Sequence, residues 1–246
     1  MPRYQIYIEY VGTKFIGWQI QKNGQSIQGL IQQKLSKILN EKITIVGSGR
    51  TDSGVHAIEQ SAHFDSKKKI KDSKKFLKSA NYFLNKRLIS ILKIKKKQST
   101  FHARYSAKMR SYLYVINNRE SPSSLNKERE WHIKRKLNLN LMKKGAKKLI
   151  GTFNYSTFRA SSCGAKSPIR TIKNFKIIKT KSIIKIRVQS RSFLQQQVRS
   201  MVGCLKYLGE EKWSIKYFEK VFKSKKRSLC APPAPSCGLF LEKVSY

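Results

Sequence analysis

The sequence predicts an α+β protein made of two ferredoxin-like β-α-β-β-α-β halves with antiparallel sheets. Three observations carry the prediction. Short alternating segments and amphipathic segments follow one another in the same order twice along 246 residues. Capping residues stand where the pattern changes from strand to helix. Hydrophobic residues make up 39% and aromatics 11%, enough for a core in one large domain or two small ones. The halves are expected at 1–105 and 106–246, the first carrying the loop of chemical interest.

In the first half, Tyr4, Ile6 and Ile8 alternate with Gln5, Tyr7 and Glu9, the pattern of a half-buried strand. Ser26 suits an N-cap, and Ile27, Leu30, Ile31, Leu35, Ile38 and Leu39 recur on one face of the helix it would start. KITIV (42–46) reads as a short strand that runs into a glycine-rich loop, and EQSAHF (59–64) alternates again. Asp72 can cap a helix through Phe76, Leu77, Ala80 and Phe83, and LISILKI (88–94) closes the half as a strand.

The second half repeats the order. SYLYVIN (111–117) is a strand, a polar charged loop follows, and LNLMKKGAKKLI (139–150) reads as a helix. NFKIIKT and SIIKIRV form a strand pair around Lys179 to Ser182. SFLQQQVRSMVGCLKYLG (192–209) is an amphipathic helix, IKYFEKVF (215–222) a shorter one, and GLFLEKVSY a closing strand. CAPPAPSCG (230–238) is a rigid connector before that strand, because proline fixes φ and removes donors.

Lys and Arg number 53 against 13 Asp and Glu, a formal net charge of +40. Cations at this density attract polyanions through counterion release, which makes nucleic acid the leading partner. Part of the excess is compositional, since the chain is rich in Lys, Ile and Asn together, as AT-biased coding produces. The runs SKKKIKDSKK (66–75) and KIKKKQS (93–99), each taken singly, read as solvated faces and loop ends. Apolar runs fall far short of the roughly 18 residues a spanning helix requires. The N-terminus MPRYQIYIEY alternates like a strand and lacks a signal peptide's apolar stretch, so a cytoplasmic protein is expected. Cys163, Cys204, Cys230 and Cys237 form no CxxC pair and have no histidine at ligand spacing, which points to free thiols rather than disulfides or zinc.

Against this background GSGRTDSGVHAIEQSAHFDS (47–66) stands out. The chain has only three aspartates, and one of them, Asp52, lies two residues after Arg50 among Gly47, Gly49 and Gly54. The glycine spacing matches neither the dinucleotide fingerprint nor a P-loop, and a carboxylate in its middle would repel phosphate. Chemistry alone leaves two readings of Asp52: a turn residue bonding local amides, or a reacting carboxylate set among cations. His56 and His63 lie nearby without a second carboxylate or nucleophile, and read as structural or RNA contacts. Asp65 and Asp72 read as turn and cap residues.

GRTDSGVHA with HF following resembles the signature loop of the TruA family of tRNA pseudouridine synthases. The rest of the chain is similar in order: IEYVGTKFIGWQIQ, FHARYSAKMRSYLYVI (101–116), TFRASSCGAKSPIRTI (157–172), FLQQQVRSMVG (193–203) and GLFLEKVSY. Val11 stands where the family usually has Asp, and Ile20 where bacterial members often have Arg; neither is in the loop.

The resemblance implies Asp52 as catalytic nucleophile, Arg50 as a holder of the flipped nucleotide, Arg199 as partner of the Asp52 carboxylate and Tyr112 as the surface on which the target base stacks. It also implies a tRNA substrate modified at positions 38 to 40 of the anticodon arm, a homodimer, and an active-site cleft between the two halves. The chemistry accounts for each residue type. Isomerising uridine breaks the N1–C1′ bond, turns the uracil and joins C5 to C1′, which a carboxylate can assist at C1′ without metal or cofactor. Nearby guanidiniums favour the ionised carboxylate, and an aromatic platform compensates a base drawn from its stack. Tyr112 in an alternating strand also suits plain sheet packing, and Arg199 on an amphipathic helix a solvated position. Two rival functions remain at this stage: an RNA-binding protein without activity, and a related pseudouridine synthase aimed at other RNA.

Overall fold

A computed structural model of the chain describes residues 1–246. It is a mixed α+β structure of mostly antiparallel strands and five α-helices. Two compact units are present: residues 1–108 together with 241–246, and residues 109–240.

The first unit contains strand β1 (Arg3–Tyr10), helix α1 (Ile27–Leu39), strand β2 (Val46–Gly47), strand β3 (His56–Asp65), helix α2 (Ser73–Leu84) and strand β4 (Ile89–Lys97). β1 lies between β4 and β3, antiparallel to both. Tyr4, Ile6, Ile8 and Tyr10 are buried as predicted, in a core that includes Ile27, Ile31 and Leu35 of α1 and Ala80 and Leu84 of α2. Gln5 breaks the alternation: it too is buried, its amide donating to the Ser61 hydroxyl at 2.9 Å. Both helices start at the predicted caps. The Ser26 hydroxyl accepts the Gly29 N–H at 3.1 Å, and the Asp72 carboxylate accepts the Lys75 N–H at 2.9 Å.

Three boundaries differ from expectation. Residues 42–45 are not a strand, although Ile43 and Ile45 are buried. Helix α1 captures their backbone instead. Ser36 Oγ accepts the Ile43 N–H, Gln32 Oε1 accepts the Ile45 N–H, and Gln28 Nε2 donates to the Ile45 carbonyl, so only Val46 and Gly47 pair with β3. β3 reaches back to His56, three residues earlier than its alternation begins. β4 begins at Ile89, because Leu88 takes a left-handed conformation (φ 56°) after a 3₁₀ turn, and it runs on to Lys97, so most of the second lysine run is strand.

In the second unit are strands β5 (Met109–Asn117) and β6 (Trp131–His132), helix α3 (Leu139–Lys148), strands β7 (Gly151–Asn154), β8 (Ile169–Thr180) and β9 (Ile183–Ser190), and helices α4 (Gln197–Gly209) and α5 (Ile215–Lys223). The strand order is β5-β9-β8-β7, antiparallel throughout, with β6 parallel to β5. β8 and β9 form the predicted hairpin, and Lys181 turns it at φ 53°. The short β6 and β7 were not anticipated. Ile184, Ile186 and Val188 share a core with Met201, Val202, Leu205, Leu208 and Phe218.

The largest correction concerns 192–196, expected to be the first turn of a helix. Gln196 is left-handed (φ 59°), and Gln197 Oε1 accepts the Leu194 N–H at 2.8 Å, so α4 begins at Gln197 and the five preceding residues form a loop. The last strand, β10 (Leu239–Ser245), follows the proline-rich connector, and its residues from Leu241 onward belong to the first unit, beside β3. All four cysteines are free thiols, and no helix is long and apolar enough to cross a membrane.

Candidate functional site

The glycine-rich loop between β2 and β3 is held from below by the segment after β1. Gly47 packs against Trp18, where a Cβ would come within 2.6 Å of the indole. The Ser48 N–H donates to the Ser61 carbonyl at 2.7 Å, and the Ser48 hydroxyl and the Gly49 carbonyl are both bonded by the Gln60 amide. Thr51 is buried, with its hydroxyl 2.8 Å from that of Tyr10, and its carbonyl accepts the Trp18 N–H at 3.0 Å. Gly17, at φ +112°, allows that approach, since a Cβ there would lie 2.7 Å from the Thr51 oxygen.

Beyond Asp52 the chain turns tightly. The Val55 N–H donates to the Asp52 carbonyl at 3.1 Å, and Gly54 supplies the positive φ of 75° that the turn requires. The Ser53 hydroxyl donates to the Phe15 carbonyl. Asp52 is thus half-buried between two anchored residues, Thr51 and Val55, while Arg50 is exposed on the same loop.

The two histidines have structural partners. His56 Nδ1 accepts the Gly12 N–H at 3.0 Å, and His63 Nδ1 accepts the Ala103 N–H at 3.1 Å. Burial, with Arg3 and His102 adding to it, pushes His63 down to about 4, so it is neutral at ordinary pH. Asp65 forms a two-pronged pair with Arg3, which holds its carboxyl below the usual range.

Tyr112 and Arg199 are in the second unit. Tyr112 lies on β5 opposite Val188 of β9, 8% exposed, with its ring edge-to-face with Phe193 at 5.1 Å. Phe193 sits in the loop that was expected to be helix. Arg110 of β5 also reaches that loop, donating to the Arg191 carbonyl, so the loop is tied to β5 at two points. A helical reading of 192–196 hid this role of Phe193; the aromatic before three glutamines was the available signal.

Arg199 lies in the first turn of α4. Its Nε donates to the Ala234 carbonyl at 2.7 Å, and its own carbonyl accepts the Ala234 N–H at 2.9 Å. The connector comes close enough because Gly203 has no side chain: a Cβ there would be 2.1 Å from the Pro232 oxygen. Arg50 and Asp52 therefore share one loop of the first unit, and Tyr112 and Arg199 occupy a strand and a helix of the second.

A family model described as tRNA pseudouridine synthase matches residues 6–106 and 146–246. The chain belongs to the tRNA pseudouridine synthase family. With that family it is an isomerase acting on tRNA. Among relatives named tRNA pseudouridine synthase A, that of Pelagibacter ubique (strain HTCC1062) is 64% identical over 246 residues, covering 100% of both chains. That of Brucella ovis (strain ATCC 25840 / 63/290 / NCTC 10512) is 38% identical over 251 residues, covering 100% of this chain and 98% of its own. Of the solved structures, a chain of a Cbf5-Nop10-Gar1 complex resembles 82% of this chain over 53% of its own, at 10% identity and a TM-score of 0.37, too slight a likeness to bear on the fold. Within the tRNA pseudouridine synthase match lie Arg50 and Asp52 in the first segment and Arg199 in the second, whereas Tyr112 falls in the stretch between them.

Proposed function

We propose that the chain isomerises uridine to pseudouridine in the anticodon stem-loop of tRNA, at positions 38, 39 and 40, with Asp52 as nucleophile and without a cofactor. The observation that carries the reading is the setting of Asp52: a scarce carboxylate, half-buried, on a loop fixed on one side by Thr51 and on the other by Val55. A group fixed in this way loses little freedom when it reacts. Its carboxylate attacks C1′ or assists departure of the uracil there; the N1–C1′ bond breaks, the base turns, and C5 bonds to C1′. The C5 proton is then lost and N1 gains one, so the product is an isomer and nothing else is consumed.

Arg50, Arg199 and Tyr112 take the roles that the resemblance implies. The two units act as ferredoxin-like halves, a reading supported in the first by the strand order β4-β1-β3-β2. The division at 1–105 and 106–246, a homodimeric assembly and a cytoplasmic setting complete the proposal. Incubating the protein with a transcribed tRNA and mapping pseudouridine by carbodiimide labelling tests it. Modification within positions 38 to 40 is the expected result. Bound but unmodified tRNA would favour an RNA-binding protein without activity, and modification elsewhere a different RNA target.

A further inference from the structure

The face of the first unit's sheet that carries Gln5 and Tyr7 holds a cavity of about 590 Å³. It is lined by Tyr7, Glu59, Lys93, Lys95, Lys97 and Lys243, among others. Register places the lysines: Lys93 is opposite Tyr7, Lys95 opposite Gln5 and Lys97 opposite Arg3. Alternate residues on one face of a strand are about 6.8 Å apart, so β4 presents an even row of three ammonium groups. Lys243 adds a fourth from β10. Two of the row rest on aromatic rings, Lys95 over Tyr7 at 5.9 Å and Lys97 over Phe101 at 5.1 Å. One carboxylate, Glu59, offsets part of this charge.

Lysine on an edge strand commonly serves to discourage strand pairing, and β4 has β1 as its neighbour on one side only within this unit. That purpose accounts for neither the cavity nor Lys243. In the order β4-β1-β3-β10, Lys243 is three strands away from the row, about 14 Å across the sheet. The four cations therefore surround a concave surface from two sides. A spread of this size exceeds one phosphate group and suits a chain of them. A second copy of this protein fits poorly, because a two-fold contact would set the same lysines against each other.

The position along the strands separates this surface from Asp52. Tyr10, at one end of β1, bonds Thr51 beside Asp52. Lys93 is opposite a residue three positions back along β1 and Lys97 opposite one seven positions back, about 10 and 24 Å along the strand. We infer that this lysine-ringed face is a second docking site, for the phosphate backbone of tRNA outside the stem-loop that carries the reacting uridine. The inference rests on the proposed tRNA activity and adds to it a surface remote from the reacting carboxylate.

The test replaces the four lysines by glutamine (Lys93→Gln, Lys95→Gln, Lys97→Gln, Lys243→Gln), with a matching set of arginine replacements. Each enzyme is assayed on full-length transcribed tRNA and on the isolated anticodon stem-loop. For full-length tRNA the glutamine set is expected to raise KM about tenfold or more, to leave kcat unchanged, and to flatten the slope of log affinity against log salt by about 2 to 4. The arginine set should behave as the parent, and on the stem-loop all three enzymes should agree. An unchanged KM and slope on full-length tRNA would overturn the inference, as would an equal loss on the stem-loop. Should the glutamine set not fold, acetylation of the unaltered protein decides: bound tRNA is expected to protect these four lysines, and full reactivity of all four in the complex refutes the site. A parent that binds tRNA but makes no pseudouridine defeats the proposed function instead, and the protection pattern still reports on the face.

Discussion

Asp52 meets its sharpest test in Asp52→Asn. Asparagine suits the same turns, and the Val55 bond uses the Asp52 backbone carbonyl, so the loop should survive the change. An amide cannot attack C1′. The variant is expected to fold, to bind tRNA about as well as the parent, and to form no detectable pseudouridine in a single-turnover assay; substantial product would return Asp52 to an ordinary turn. Tyr112 separates ring from hydroxyl. Tyr112→Phe should keep most activity, whereas Tyr112→Leu should lose a stacking contribution of about 1–3 kcal/mol, and two equally inactive variants would mean that the hydroxyl takes part. His63 makes a prediction about pH. Its folded pKa of about 4 lies below the unfolded value near 6.5, so the unfolded chain binds the extra proton between them. The stability this histidine contributes is complete above about pH 6.5 and is lost as pH falls towards 4. Melting temperatures of parent and His63→Asn measured from pH 7 down to 5 should show the smaller decline in the variant; parallel curves would refute it.

Elements whose caps and periodicity agree were legible in the sequence, and those fixed by tertiary bonds were not. α1 and α2 start at Ser26 and Asp72 because those side chains close the helix ends locally. Residues 42–45 have strand composition, yet three side chains of α1 take their backbone bonds, and no local pattern announces that. The loop 192–196 departs from its helix-like spacing for a local reason instead: Gln196 is left-handed and the Gln197 side chain accepts the Leu194 N–H three residues back. The candidate site divides likewise. The Arg50–Asp52 loop is visible as a motif, whereas Tyr10 under Thr51 and Phe193 against Tyr112 depend on residues distant in sequence. At α4, Gly203 sets how closely the connector lies to the Arg199 helix. Gly203→Ala places a methyl group where the Pro232 carbonyl now sits, and it should cost about 1–3 kcal/mol, visible as a lower urea midpoint. An unchanged midpoint would show that the connector yields freely.

The net charge of +40 acts on the whole chain in two opposing ways. Like charges repel across a folded surface, and salt relieves that repulsion, so the melting temperature should rise when salt is added from low ionic strength. The same salt should weaken tRNA binding steeply, because each phosphate contact no longer gains by releasing counterions. Opposite slopes in the two measurements are expected on one preparation. A flat binding slope would mean that the lysines reflect coding bias. The return of residues 241–246 to the first unit has a bearing on biosynthesis. Strand β3 acquires one of its neighbours, β10, from residues translated long after it, and Tyr246 brings with it hydrogen bonds to Ser61 and Ala103. A ribosome that has released residues 1–108 has not released a finished unit. The loop that holds Asp52 is made early, yet the sheet beneath it is sealed only once residues 241–246 have emerged, so a product stalled before them carries an open strand edge and is a target for chaperones and proteases.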